Sequence, residues 1–180
     1  MLAIKILGRN MQQNKITPDN FLHAEKRNAI RPAYLEALSL VERLHRRLLD
    51  VVKDEFDRRG NQELNSTQAL LIFNIGDREM TASELRTRGY YLGSNVSYNV
   101  KKLVELGYLH YVKSRIDRRT VRISLTEKGR EIQNAIAMLY DKHAQIVEQI
   151  GGVSAEEFSL LNNSLSRLER FWTDQIRYQL

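Results

Sequence analysis

The sequence predicts a mainly α-helical chain with one small β-hairpin. Three observations carry that fold class. Apolar residues recur at spacings of four and three across three long segments, 32–59, 126–150 and 154–180. Val121, Ile123 and Leu125 alternate with Arg122 and Ser124, the period of a half-buried strand. Polar pairs three residues apart (Asn65 with Gln68, Thr81 with Glu84, Ser154 with Glu157) have the form of capping boxes that open helices.

A length of 180 residues suits one domain or one compact pair of subdomains. Hydrophobic residues at 42% and charged residues at 28% describe a globular chain and are too apolar for a disordered one. Cysteine is absent, which excludes disulfides, thiolate metal sites and cysteine nucleophiles together. Apolar runs such as Ala69 to Phe73 reach no more than about six residues, far short of the roughly 20 of a membrane span, so no bilayer crossing is expected. Lys5 interrupts the apolar start, which therefore does not read as a secretory signal. A cytoplasmic location is the expectation.

Residues 1–31 show no sustained period and read as a partly flexible N-terminal arm, with a short helix near 19–28; a disordered tail or an upstream start-site extension fits equally. Pro32 suits a first helical turn and starts a helix to about Arg59, stopped by Gly60. Its apolar stripe, Tyr34, Leu38, Val41, His45, Leu48 and Val52, is widened by Ala37, Leu40, Leu44 and Val51. Asn65 opens a short helix to about Ile75, and Thr81 opens another over 82–88. After a turn at 89–93, a helix runs from Ser94 to Gly107. Strands follow at 108–113 and 120–125, joined by the basic tip 114–119. Thr126 caps a helix to Ile150, stopped by Gly151 and Gly152, and Ser154 caps the last one. The middle of the chain can close a small core alone, whereas the long helices carry apolar seams that one chain leaves largely uncovered. Self-association as a two-fold dimer would bury them, and packing within one chain is the alternative.

Charge is unevenly placed. Nine basic residues between Arg86 and Arg122 face only Glu105 and Asp117, a surplus that exceeds the +6 of the whole chain. Charge runs are often just solvated faces, but confinement to one fifth of the chain favours a polyanion-binding surface. At 100° per residue, Val96, Val100, Leu103 and Gly107 share the core-facing arc of the helix after the turn. Ser94, Tyr98, Lys101 and Glu105 share the opposite arc, flanked by Asn95 and Lys102. Small polar residues at a helix start and lysines beyond suit a recognition helix reading base edges and phosphates.

Several segments resemble the winged helix-turn-helix core of the MarR family of bacterial regulators. They are Leu64-Asn65-Ser66-Thr67-Gln68, Thr81-Ala82-Ser83-Glu84-Leu85, Leu103-Val104-Glu105-Leu106-Gly107-Tyr108, Asp117-Arg118-Arg119 and Leu125-Thr126-Glu127-Lys128-Gly129-Arg130. The resemblance implies a winged helix-turn-helix DNA-binding domain at 64–125 and a helical dimerisation region formed by 32–63 and 126–180. It implies a homodimer on a pseudo-palindromic double-stranded operator, with recognition helix 94–106 in the major groove and wing 114–119 in the minor groove. Ser94, Asn95, Ser97 and Tyr98 then fall at base and phosphate contacts, with Lys101 and Lys102 toward flanking phosphates. Arg119 matches the wing arginine, braced by Asp117, with Arg115 and Arg118 as auxiliary phosphate contacts; a polar tip with a local ion pair is the plainer reading of that triplet. Tyr98 stands where many members carry a basic residue, so it cannot make an arginine's bidentate guanine contact.

The resemblance further implies release from DNA by a small hydrophobic or aromatic effector. Val52, Phe56, Leu70 and Phe73 are the candidate pocket walls, although apolar residues at helical spacing are ordinary core more often than a ligand site. Repression is the commoner output in that family, with activation as the alternative. No cofactor or metal site is expected, because the four histidines have no ligand spacing and no matched acidic partner. An enzyme is not expected, since no glycine-rich phosphate loop, activated nucleophile or paired carboxylate occurs. The alternative is a protein–protein interaction module on a winged-helix fold without DNA binding, against which the basic surplus argues.

Overall fold

The computed structural model describes residues 18–81, 84–85, 93–113 and 121–178. Among them are helices α1 (Pro18–Arg58), α2 (Ser66–Ile75), α3 (Gly93–Glu105), α4 (Glu127–Gly151) and α5 (Ala155–Tyr178). Three strands, β1 (Met80–Thr81), β2 (Leu109–Lys113) and β3 (Val121–Leu125), form an antiparallel sheet in the order β1-β3-β2. This is a winged helix fold. By contacts the chain divides into one unit of Met1–Leu49 and another of Asp50–Leu180.

The boundaries follow from identifiable caps. The Asn65 side chain accepts the Gln68 N–H at 2.9 Å while the Gln68 side chain accepts the Asn65 N–H, the reciprocal capping box expected for α2. Thr81 and Glu84 make the same pair of bonds, as do Ser154 and Glu157. Thr126 caps α4 through the Gly129 N–H, and Gly152 ends it in the left-handed conformation that glycine adopts without penalty. Gly107, at φ 77°, turns the chain from α3 toward β2 in the same way.

Two elements differ from the expectation. The long helix begins at Pro18 rather than Pro32, and Pro32 lies inside it. A proline there removes one backbone donor, but Leu22, Ala24, Glu25, Lys26, Arg27 and Ala29 before it are good helix formers. The extra strand β1 is too short to show a period. Met80 is buried opposite Ile123, and Glu79 pairs with Arg122 at 3.0 Å beside it.

The core lies in the second unit. The apolar helix α2 buries Leu70, Leu71, Ile72 and Ile75 and packs on α4, which buries Ile132, Ala135, Ile136 and Leu139. The alternation on β3 holds, with Ile123 and Leu125 buried and Arg122 exposed. Toward its end α4 changes character, and Ile146 and Ile150 are exposed. The seam of α5 is likewise uncovered, and this helix has no buried residue. In the first unit Leu35, Leu40, Val41, Leu44 and Leu48 are exposed as well. Among the described residues no helix is long and apolar enough to cross a membrane.

Candidate nucleic-acid interface

The residues of α3 divide between two faces. Val96, Val100 and Leu103 are buried and pack toward β2, as their spacing requires. On the other side Tyr98 is 68% exposed, and Ser97, Lys101 and Lys102 are exposed with it. Lys101 reaches Glu105 one turn on at 4.0 Å, a loose surface pair that leaves its charge available. Ser94 and Asn95 belong to the first turn of α3. Arg115, Asp117, Arg118 and Arg119 lie outside the described residues, so the wing tip has no structural description.

The end of α3 is fastened by the segment that follows the hairpin. Glu63 Oε2 accepts hydrogen bonds from Tyr108 Oη at 2.9 Å and from Lys128 Nζ at 2.8 Å. Lys128 also donates to the Leu106 carbonyl at 3.1 Å and stands 4.2 Å from the centre of the Tyr108 ring. Thr126 donates from its hydroxyl to the Gly107 carbonyl at 2.7 Å and from its N–H to the Tyr108 carbonyl at 3.1 Å. Thr126 and Lys128 therefore hold the α3–β2 corner, and Glu63 ties that corner to the loop before α2. Sequence reasoning noticed the 125–130 run without seeing this task, because Glu63 and Lys128 are far apart in the chain.

Lys128 first, and Tyr108 second, hold the Glu63 carboxyl below its usual value of 4.5. The same Glu63 bond is the main cause that raises Lys128, while burial and then Glu63 raise the Tyr108 hydroxyl. Because the folded value of Glu63 is the lower one, its stabilisation is complete above about pH 4.5 and fades as pH falls through the folded value. Glu63→Gln should therefore have a lower thermal midpoint than the parent at neutral pH. The gap should close as protonation makes Glu63 resemble glutamine, and midpoints taken from neutral pH down to about pH 3 check this. A gap independent of pH would show that the ionised carboxylate is not what matters.

Residues 64–129 match a family described as a winged helix DNA-binding domain. The chain is 30% identical over 145 residues to the exopolysaccharide II synthesis transcriptional activator ExpG of Rhizobium meliloti (strain 1021), covering 81% of this chain and 74% of that protein. Streptococcus pneumoniae FabT in complex with DNA superimposes with a TM-score of 0.58 at 26% identity, covering 78% of this chain and 98% of FabT. The chain belongs to the MarR family of winged helix transcription regulators. The fold is shared with a mutant form of E. coli MarR complexed with operator DNA, at a TM-score of 0.61 and 18% identity over 78% of this chain and 96% of that one.

In this MarR-family regulator the four expected effector residues take different places. Val52, Phe56 and Leu70 are buried in the second unit, and Phe73 meets Tyr140 edge-on at 5.1 Å between ring centres. Phe56 lines a cavity of about 480 Å³ together with Lys53, Gln68, Tyr98 and Lys102; Val52, Leu70 and Phe73 do not. Two polar residues that the sequence reading gave no part in recognition, Gln68 and Asn99, are buried and hydrogen-bonded to each other behind α3. A DNA-binding regulator of this family is generally not an enzyme.

Proposed function

We propose that the protein is a homodimeric, sequence-specific transcription regulator acting in the cytoplasm on a pseudo-palindromic operator. Recognition helix 94–106 enters the major groove and wing 114–119 the minor groove, with half-sites about 34 Å apart. The observation that carries this reading is the outward face of α3, where Ser97, Tyr98, Lys101 and Lys102 are exposed while Val96, Val100 and Leu103 anchor the helix. Ser94 and Asn95 add base contacts at its first turn. At the wing Arg119, braced by Asp117, enters the groove while Arg115 and Arg118 reach phosphates. Dimerisation is supported by α5, whose Leu161, Leu165, Trp172 and Ile176 stay exposed in the single chain.

Val52, Phe56, Leu70 and Phe73 form the site of a small hydrophobic or aromatic effector in this reading, and Phe56 is where it meets the cavity. An effector that favours a recognition-helix spacing unlike the operator's shifts the population away from DNA. Repression is the family's commonest output, and ExpG is described as an activator; a promoter reporter reads the sign for this chain. Within the family, the run from Gly89 to Asn99 is similar to LdtR, a regulator of L,D-transpeptidase expression, and that is the narrower identity we favour. Footprinting the gene's own neighbourhood and the promoters of L,D-transpeptidase genes tests it.

DNA retention against salt tests the function itself. Counterion release predicts that log affinity falls linearly with log salt, and absence of binding even at low salt would sink the reading. Arg119→Ala should weaken binding on all duplexes while the dimer persists. Asn95→Ala and Tyr98→Ala should instead alter preference among duplexes, at about 1–3 kcal/mol per lost base contact. Equal losses on every sequence for both kinds of variant would refute the division between wing and helix.

A further inference from the structure

Beyond the contacts at its surface, recognition depends on how α3 is rotated about its own axis, and one buried side chain is placed to set that rotation. Gln68 is 5% exposed and belongs to the first turn of α2. Its Oε1 accepts the Asn65 N–H at 3.2 Å, which fixes the amide orientation because a backbone N–H can only donate. Nε2 therefore points the other way and donates to Asn99 Oδ1 at 3.3 Å, across 31 positions of sequence. Asn99 is 8% exposed and sits on the buried side of α3, next in sequence to the exposed Tyr98.

We infer that Gln68 is a positioning residue for DNA recognition, acting through Asn99 to fix the roll of α3 and so the direction in which Tyr98 and its neighbours meet a base pair. This rests on the proposed reading of α3 as the recognition helix. The physical ground is directionality. Val96, Val100 and Leu103 hold α3 by apolar contact, which varies little over a small roll. A hydrogen bond between two buried amides tolerates much less, since its strength falls steeply with angle and breaking it strips the buried Gln68 Nε2 of this acceptor. Because neighbouring helical residues are held 100° apart, a roll that breaks the Asn99 bond also turns Tyr98 by the same angle across the groove. Gln68 and Tyr98 also line the same cavity.

The capping role of Gln68 must be separated from this one, and Asn65→Ala does so. That substitution removes the oxygen that caps the Gln68 N–H yet leaves the Asn65 N–H and the bond to Asn99. The experiment first selects a preferred duplex from a random pool with the unaltered full-length chain. It then measures affinity for that duplex and for a scrambled one, with thermal midpoints, for Gln68→Met, Asn99→Ala, the double variant and Asn65→Ala. Gln68→Met and Asn99→Ala should each lower the selected-to-scrambled affinity ratio by about tenfold, and the double variant no further. Binding to the scrambled duplex should change by less than about twofold, because phosphate contacts supply it. Asn65→Ala should lower the midpoint and keep the ratio.

The inference is overturned if Asn65→Ala lowers the ratio as far as Gln68→Met, or if the effects of Gln68→Met and Asn99→Ala add. Should Gln68→Met fail to fold, Asn99→Ala alone decides, and an unchanged ratio there refutes the role. A parent chain that selects no duplex overturns the recognition-helix reading and this inference together. Selection that succeeds, with ratios unmoved in the variants, overturns only this one.

Discussion

Gly129→Ala should lower stability by about 1–3 kcal/mol, and thermal denaturation at fixed protein concentration should show the midpoint falling by several degrees. The reason is space rather than backbone freedom. A Cβ at Gly129 would clash with the Tyr108 carbonyl oxygen and would stand 3.3 Å from Leu125 Cβ. The carbonyl cannot swing away cheaply, because it accepts the Thr126 N–H at 3.1 Å while the Thr126 hydroxyl holds Gly107 and the Gly129 N–H. Relief would have to come from moving the start of α4 off the α3–β2 corner. Gly151→Ala is the control: the nearest atom to its added Cβ is a Val147 methyl group at 3.3 Å, on a side chain that can adjust. An unchanged midpoint for Gly129→Ala would mean that the corner is far softer than its hydrogen bonds imply.

The second large effect is expected at the uncovered helix. Leu161→Glu combined with Leu165→Glu should yield a monomer at micromolar concentration and lower affinity for a two-half-site operator by about 10²–10⁴-fold. Leu161 and Leu165 are 45% and 40% exposed in the single chain, so the charges cost its core little and act mainly where a second copy would cover them. Binding of one half-site loses the effective concentration that a linked second half-site provides. Sedimentation and titration with a full and a half operator check the two statements separately. If the unaltered chain is already monomeric at that concentration, the dimeric reading is wrong. If the double variant remains a dimer, α5 is not the contact.

These expectations draw on different levels of the molecule. Caps were legible because a helix start is a local event: Asn65, Thr81, Thr126 and Ser154 each satisfy backbone donors within three residues, so spacing alone reveals them. The two faces of α3 were legible for a similar reason, since one period decides which residues point inward. The start of α1 was not, because a proline signals a first turn and an interior position alike, and only the summed preference of the residues before it decides. Strand β1 was hidden because two residues carry no period, and its existence depends on β3 offering a free edge.

By itself, then, the sequence determined the helical periods, the caps, the hairpin strands and the concentration of positive charge around α3, all of which follow from neighbours along the chain. Tertiary structure alone decided which partners meet across distance: Glu63 with Lys128 and Tyr108, Gln68 with Asn99, and the Tyr108 carbonyl against Gly129. Such pairings depend on the three-dimensional path of the backbone. A glutamine that looks like half of a capping box becomes the brace of a helix 31 positions away only because the fold brings the start of α2 against the buried side of α3.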